Sequence, residues 1–147
     1  MSESLDVREF LPHTGNMVLL DRILEVGDNY LIALAEVRGD GWLLGNEYFV
    51  PAWAGLEYMA QAIAAYVGYN AKQNNQPVRL GFLLGTRQYT CSVDKFAVGL
   101  QLIIHVEKIM QDELLGVFDC TIKSEHVEIK AKITAYQPDS IENLKPL

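Results

Sequence analysis

The run VPAWAGLEYMAQAIAAYVGYNAK, from Val50 to Lys72, limits the possible folds more than any other stretch of this chain. Its residues are compatible with helix, and no proline follows Pro51. Proline suits the first position of a helix, where its missing N–H would have had no partner. The run ends in the polar stretch KQNNQP, which reads as a helix stop. Trp53, Leu56, Met59, Ile63 and Val67 distribute apolar surface on every side of it. A helix that is apolar all round is buried, so the rest of the chain must enclose it.

The rest of the chain is mostly strand. SLDVREFLPH reads as a short helix that stops at Leu11, because Pro12 disfavours helix in the residue before it. MVLLDRILEVGDNYLIALAEV reads as two strands with GDN as the hairpin turn, and RGDGWLLGNEYF as a loop. After the helix come LGFLLGTRQYTCSV, FAVGLQLIIHVEKIMQ, LLGVFDCTIKSE and VEIKAKITAYQ, each rich in β-branched and aromatic residues. Val127, Ile129, Ala131 and Ile133 fall on one face of the last segment, with Glu128, Lys130 and Lys132 on the other. The tail from Pro138 to Leu147 is polar and reads as mobile. This order predicts one α+β domain over residues 1–147, an antiparallel sheet wrapped around a single long helix. One helix cannot cover both faces of such a sheet, so pairing of two copies along an edge strand is a natural completion.

Composition excludes several classes. A formal net charge of -7 argues against a nucleic-acid binder, though a local basic rim remains compatible with it. Cys91 and Cys120 lack CxxC spacing and a neighbouring His cluster, so the sequence points to two reduced thiols and no metal site. No basic segment leads into an apolar run at the N-terminus, and no apolar stretch of roughly 18 residues occurs. A cytoplasmic protein with no membrane span is the expectation.

Few residues can carry chemistry. Glu57 lies inside the apolar helix, where a carboxylate must be hydrogen-bonded, paired or neutralised. It is either a functional acid or a structural hydrogen-bonding group. Gln61, four residues on, shares a helix face with it and could orient it or touch a ligand carbonyl. The free N–H groups of Ala52 and Trp53, at the helix start, could polarise a substrate carbonyl. His13 follows Pro12 in a loop, where functional side chains are often displayed. His105, inside an apolar strand, and His126, in a turn, read as structural or solvated. No GxSxG elbow, P-loop or GxGxxG occurs.

Two segments resemble a known family. FLPHTGNMVLLDRILEV is similar to the N-terminal LPHR…LLVDRVLE signature of the 3-hydroxyacyl-acyl-carrier-protein dehydratases, which have the hot-dog fold. VPAWAGLEYMAQAIAAY resembles their central-helix signature MPGVLIIEALAQ, with Pro51, Glu57, Ala60 and Gln61 at the matching positions. The combination of LPH with VPAW.G.EYMAQ is similar to the dehydratase-like proteins of aryl-polyene pigment pathways. The resemblance spans most of the chain from about Phe10.

It implies a dimer with an acyl tunnel at its interface, fed by the phosphopantetheine arm of an acyl carrier protein, with no other cofactor and no metal. It implies Glu57 as catalytic acid and Gln61 as supporting amide. Ala52 stands where the family has a glycine whose N–H faces the thioester carbonyl, with Trp53 and Gly55 beside the substrate. Lys72, Arg79 and Arg87 are candidate docking charges for the carrier protein. Asp21 and Arg22, the family's DR pair, form either a structural ion pair or a functional one.

One family feature is missing. The GHFPG histidine, fourteen residues before the glutamate, corresponds to Leu43, and no histidine lies between His13 and Glu57. The expected activity is removal of water from a 3-hydroxyacyl thioester, with His13 as base, Glu57 as acid and the Ala52 N–H as carbonyl donor. The resemblance leaves two alternatives: a hot-dog acyl thioesterase, in which Glu57 would activate water, or a non-catalytic acyl-binding partner of an active homologous dehydratase, in a homodimer or heterodimer.

Overall fold

The computed structural model describes residues 6–11, 18–39, 46–75, 83–112 and 115–136. His13, Leu43, Arg79 and the tail from Pro138 lie outside them, as do the side chains of Leu83, Leu84 and Arg87.

The strands are β1 (Arg22–Val26), β2 (Tyr30–Glu36), β3 (Phe49–Pro51), β4 (Leu83–Cys91), β5 (Lys95–Ala97), β6 (Gln101–Gln111), β7 (Leu115–Ser124) and β8 (Val127–Tyr136). The one α-helix among the described residues, α1, runs Gly55–Gln73 between β3 and β4. Six strands form an antiparallel sheet in the order β1-β2-β6-β7-β8-β4, while β3 and β5 make a separate pair. The GDN turn closes the β1–β2 hairpin as predicted, with Gly27 N–H donating to Tyr30 O at 2.9 Å.

Period-two patterning decides which face meets the helix. Leu31, Ala33 and Ala35 of β2, Leu102, Ile104 and Val106 of β6, and Phe118, Cys120 and Ile122 of β7 are all buried. The helix packs over these three strands. It presents alanines at 62, 64 and 65 beside Met59 and Ile63. Alanines at 33 and 35 of β2 leave room for the helix to approach the sheet closely. Each fully buried isoleucine or leucine here contributes about 1.5–3 kcal/mol relative to exposure. The sheet wrapped around one helix is the α+β arrangement the sequence predicts. Neither α1 nor any other described helix is long and apolar enough to cross a membrane.

Three local expectations need correction. The N-terminal helix is only a 3-10 turn, Val7–Glu9, with Asp6 Oδ1 accepting from Arg8 N at 3.0 Å. FAVGLQLIIHVEKIMQ is two strands rather than one, because Gly99 turns the chain at φ +93, a conformation that favours glycine. The first hairpin strand starts only at Arg22, and Val18–Leu20 before it are buried without being strand.

A glycine inside α1 explains how the N-terminal turn is held. A Cβ on Gly68 would stand 2.0 Å from Phe10 O, so only a glycine lets this backbone lie against the helix. The Phe10 ring meets Tyr69 edge-on at 5.5 Å.

Candidate active site

The site is built where β3 passes into the helix. Val50 and Phe96 are buried opposite each other and anchor β3 to β5. Pro51 ends that strand in extended conformation (φ -58, ψ 144) instead of opening the helix as predicted. Ala52–Ala54 then form a 3-10 turn that runs straight into Gly55, the first residue of α1.

The turn changes which backbone donor is open. Ala52 N–H, the expected carbonyl donor, is already spent on Asp94 O at 3.1 Å. This corrects the sequence-based assignment: the β5 approach takes up the group that was to face the substrate. Ala54 N–H lies within the 3-10 turn, whose bonds reach back three residues. Trp53 N–H, the other candidate named from the sequence, makes no such bond to another element among the described residues. The Trp53 side chain is 49% exposed, although the helix reads as apolar and buried on that side. Tyr48 and Phe49 are exposed beside it in sequence, and Lys95 Nζ sits 4.2 Å from the Phe49 ring centroid. An aromatic surface thus flanks the start of the helix.

Glu57 occupies the first turn of α1 and is half-buried. Gln61, one turn further, is the one buried polar residue of the described core, at 1% exposure. Its Oε1 accepts from Leu19 N at 2.9 Å, and its Nε2 donates to Glu57 Oε1 at 3.4 Å. The amide therefore links the helix to the segment before β1 and turns its donor end towards the carboxylate. Fixing Gln61 through a buried backbone N–H limits the rotamers from which it can reach Glu57, which is what an orienting amide requires.

Gly55, named from the sequence as lying beside the substrate, leaves room for a tyrosine. A Cβ there would stand 2.6 Å from the Tyr89 hydroxyl and 3.2 Å from Ile129 Cδ1. The hydroxyl donates to Ala52 O at 2.6 Å. Burial, and then the neighbouring Cys91, push the Tyr89 phenol well above its ordinary value, so it stays protonated as a donor. Tyr89 was not singled out from sequence. The local signal for it, a glycine at the start of a helix, says only that something approaches closely there.

The remaining sequence candidates are scattered. Lys72 is in the last turn of α1, fifteen residues from Glu57 and so about 22 Å along the axis. Its Nζ lies 5.3 Å from the centre of the Phe10 ring. Within the protomer the structure does not bring it to the helix start. Arg87 stands opposite Lys132 in the β4–β8 register, while Arg79 and His13 lie outside the described residues. Asp21 Oδ2 accepts from Glu36 N at 2.7 Å, a structural use of the DR segment. His105 alternates with the buried Ile104 and Val106, so it faces away from α1, where it meets Tyr30 edge-on at 5.9 Å. His126 is exposed in the β7–β8 turn.

A family model described as ApeP-like, ApeP dehydratase, matches residues 5–145. The chain belongs to the ApeP-like dehydratase family. Among solved structures, the dehydratase heterocomplex ApeI:P from Xenorhabdus doucetiae contains a chain 32% identical to this one, with TM-score 0.84 and 95% of each chain covered. A 3-hydroxyacyl-[acyl-carrier-protein] dehydratase FabZ from Acinetobacter baylyi is 28% identical over 121 residues, covering 78% of this chain and 80% of that protein. A hypothetical thioesterase with coenzyme A from Streptococcus pneumoniae is 17% identical at TM-score 0.53, covering 78% of this chain and 82% of its own, which shows the shared fold alone. Membership in the ApeP-like family bears out the hot-dog fold and the relationship to aryl-polyene dehydratases that the two motifs imply.

Proposed function

We propose that this ApeP-like chain is a divergent 3-hydroxyacyl-[acyl-carrier-protein] dehydratase, converting a 3-hydroxyacyl thioester to the trans-2-enoyl thioester in fatty-acid or polyene-type biosynthesis. The observation that carries the reading is the Glu57–Gln61 pair, a carboxylate in the first turn of the helix with a buried amide one turn below it. In the reaction a base takes a C2 proton and the C2–H electrons form the double bond. Glu57 delivers a proton to the C3 hydroxyl, which leaves as water with the electrons of the C–O bond. The base's proton and the acid's proton are restored through solvent. The elimination is redox-neutral, so it needs no oxidant or reductant. His13, carried by the LPH motif, is the proposed base. The Trp53 N–H takes the carbonyl-donor role first expected of Ala52. The acyl group arrives on the phosphopantetheine of an acyl carrier protein.

Replacing Glu57 by Gln keeps the shape and removes the proton, so turnover should fall on the order of a hundredfold or more. The assay follows enoyl formation from a 3-hydroxyacyl carrier-protein thioester and free-acid release in the same reaction. Full dehydration by Glu57→Gln would overturn the assignment, and free acid as the main product would turn it into a thioesterase. Unchanged turnover in His13→Ala would remove that residue as base.

A second reading rests on Leu43, where the family has its histidine, and on the heterocomplex formed by the Xenorhabdus relative. In it the chain is the partner subunit of an active homologous dehydratase and binds acyl chains. That reading predicts no turnover by the isolated chain, and full turnover by the coexpressed pair when Glu57 of this chain is Gln. The proposed setting in either case is the cytoplasm, with the carrier protein and a second dehydratase-fold subunit, identical or homologous, as partners.

A further inference from the structure

We infer that Tyr89 is a positioning residue that aims the Trp53 N–H at the substrate carbonyl by clamping the peptide group between Ala52 and Trp53. The inference rests on the dehydratase reading above.

The Ala52 carbonyl and the Trp53 N–H belong to one peptide unit. A trans peptide is planar, and its C=O and N–H point in opposite directions. Whatever fixes the carbonyl therefore fixes the N–H. Ala52 O accepts from two donors, the Gly55 N–H inside the 3-10 turn and the Tyr89 hydroxyl at 2.6 Å. Both lone pairs are thus occupied, one of them from a different part of the fold. The preceding peptide is held as well, because Ala52 N–H donates to Asp94 O at 3.1 Å. Two successive peptide groups at the start of the helix are held in place by the β4–β5 segment. Donation into a carbonyl also polarises the N–H of the same unit, which makes it a better donor to an incoming oxygen.

Two features of the backbone are arranged around this hydroxyl. β4 carries an irregularity between Arg87 and Thr90, where Gln88 sits at φ 57, in the left-handed region that non-glycine residues rarely adopt. A bulge of this kind re-aims the side chain that follows it, and Tyr89 is that side chain. On the other side, Gly55 leaves the space that the hydroxyl fills, since a Cβ there would stand 2.6 Å from it. Both the bulge and the glycine serve the same contact.

Tyr89→Phe removes the hydroxyl and keeps the ring. Gly55→Ala keeps the hydroxyl and drives it off the carbonyl, because the tip of a tyrosine yields more easily than the backbone. Both variants should lower kcat about tenfold, equivalent to about 1.4 kcal/mol, with KM within twofold of the parent. The double variant should be no slower than either single one, because both break one contact. The spectroscopic probe is the carbonyl stretch of a trans-2-enoyl pantetheine thioester labelled with carbon-13 at C1, bound to the full-length chain. It should shift to lower frequency in the parent and in Glu57→Gln, and lose that shift in Tyr89→Phe. A purely structural tyrosine would lower the melting temperature and leave both the stretch and kcat of folded protein unchanged, which overturns the inference. Additive losses in the double variant overturn it too. If the parent gives neither turnover nor a carbonyl shift, the dehydratase reading falls and the clamp falls with it. If the parent turns over, Glu57→Gln is inactive and Tyr89→Phe matches the parent, the clamp alone is refuted.

Discussion

Gly68→Ala sets two well-characterised effects against each other. In an exposed helix interior the change stabilises by about 1 kcal/mol, because glycine loses more backbone freedom than alanine on folding. Here the added Cβ would meet Phe10 O at 2.0 Å and Phe10 C at 2.9 Å, when ordinary contact begins at 3.4 Å. Both sides of the clash are backbone, so no rotamer change relieves it, and helix and N-terminal segment must part by more than an ångström. Overpacking of this kind costs about 1–3 kcal/mol. The alternative is release of the segment. That exposes Val7, Phe10 and Leu11, all buried, at roughly 1.5–3 kcal/mol each, and recovers about 1–2 kcal/mol of backbone entropy per freed residue. These ranges overlap, so release costs no more than overpacking, and the segment should let go rather than α1 bend. Less the roughly 1 kcal/mol that alanine returns to the helix, the net expectation is a loss of up to about 2 kcal/mol, or a melting temperature lower by up to roughly 8 °C for a chain of this size. Urea and thermal unfolding at fixed protomer concentration measure it. Limited trypsin digestion adds a local readout, since cleavage after Arg8 should accelerate as the turn undocks. A melting temperature raised by a few degrees, with Arg8 no more sensitive, would mean that propensity wins and that the turn is not seated on the helix.

Gln61→Leu keeps the volume and strands the buried Leu19 N–H, so it should destabilise by about 1–3 kcal/mol in urea unfolding; a neutral result would show that water replaces the amide. Cys120 is buried on β7, and burial, then the Asp119 carboxylate, push its thiol from an ordinary 9.0 up to about 12. Between those values the native state keeps a proton that the unfolded chain has lost. Stability from this group is therefore complete below about pH 9 and declines as pH rises towards about 12, and Cys120→Ala should flatten that part of the alkaline unfolding profile. At pH 8 a thiol-specific disulfide reagent should titrate only the half-buried Cys91 in native protein and both thiols after denaturation; two fast thiols in the native state would contradict the burial of Cys120.

The sequence made the fold legible because its strongest signals are local. The apolar stretch around α1, the GDN turn and the alternation in Val127–Tyr136 each reflect neighbours a few residues apart. The misreadings share a different cause. Pro51 satisfies the rule for a helix start, yet Val50 packs opposite Phe96, far along the chain, and that pairing makes the segment a strand. Gly99 looks like one more residue of a β-rich run until its φ is known. Glu57 and Gln61 were visible as polar residues in an apolar helix. That Ala52 N–H is occupied depends on Asp94, 42 residues away, and no local pattern encodes it. The same holds for Tyr89, whose contact with Ala52 spans 37 residues.

The sheet order has a consequence for assembly. β4 follows the helix in the chain, but its ladder partner is β8, with Leu83 opposite Tyr136 and Cys91 opposite Ile129. β6, β7 and β8 join as successive hairpins between neighbours in sequence, and β1 with β2 does the same. β4 must wait for β8, the last of the described strands, and loop closure over so many residues is slow relative to hairpin formation. During synthesis the helix and the local hairpins can meet while Tyr89 still has no ladder to hold it. A chain truncated before Val127 could therefore bury much of its core and still leave the entrance to the helix loose. β8 thus acts as a check on the site: until it is made, β4 lacks its ladder partner, and Tyr89 is not yet held against Ala52.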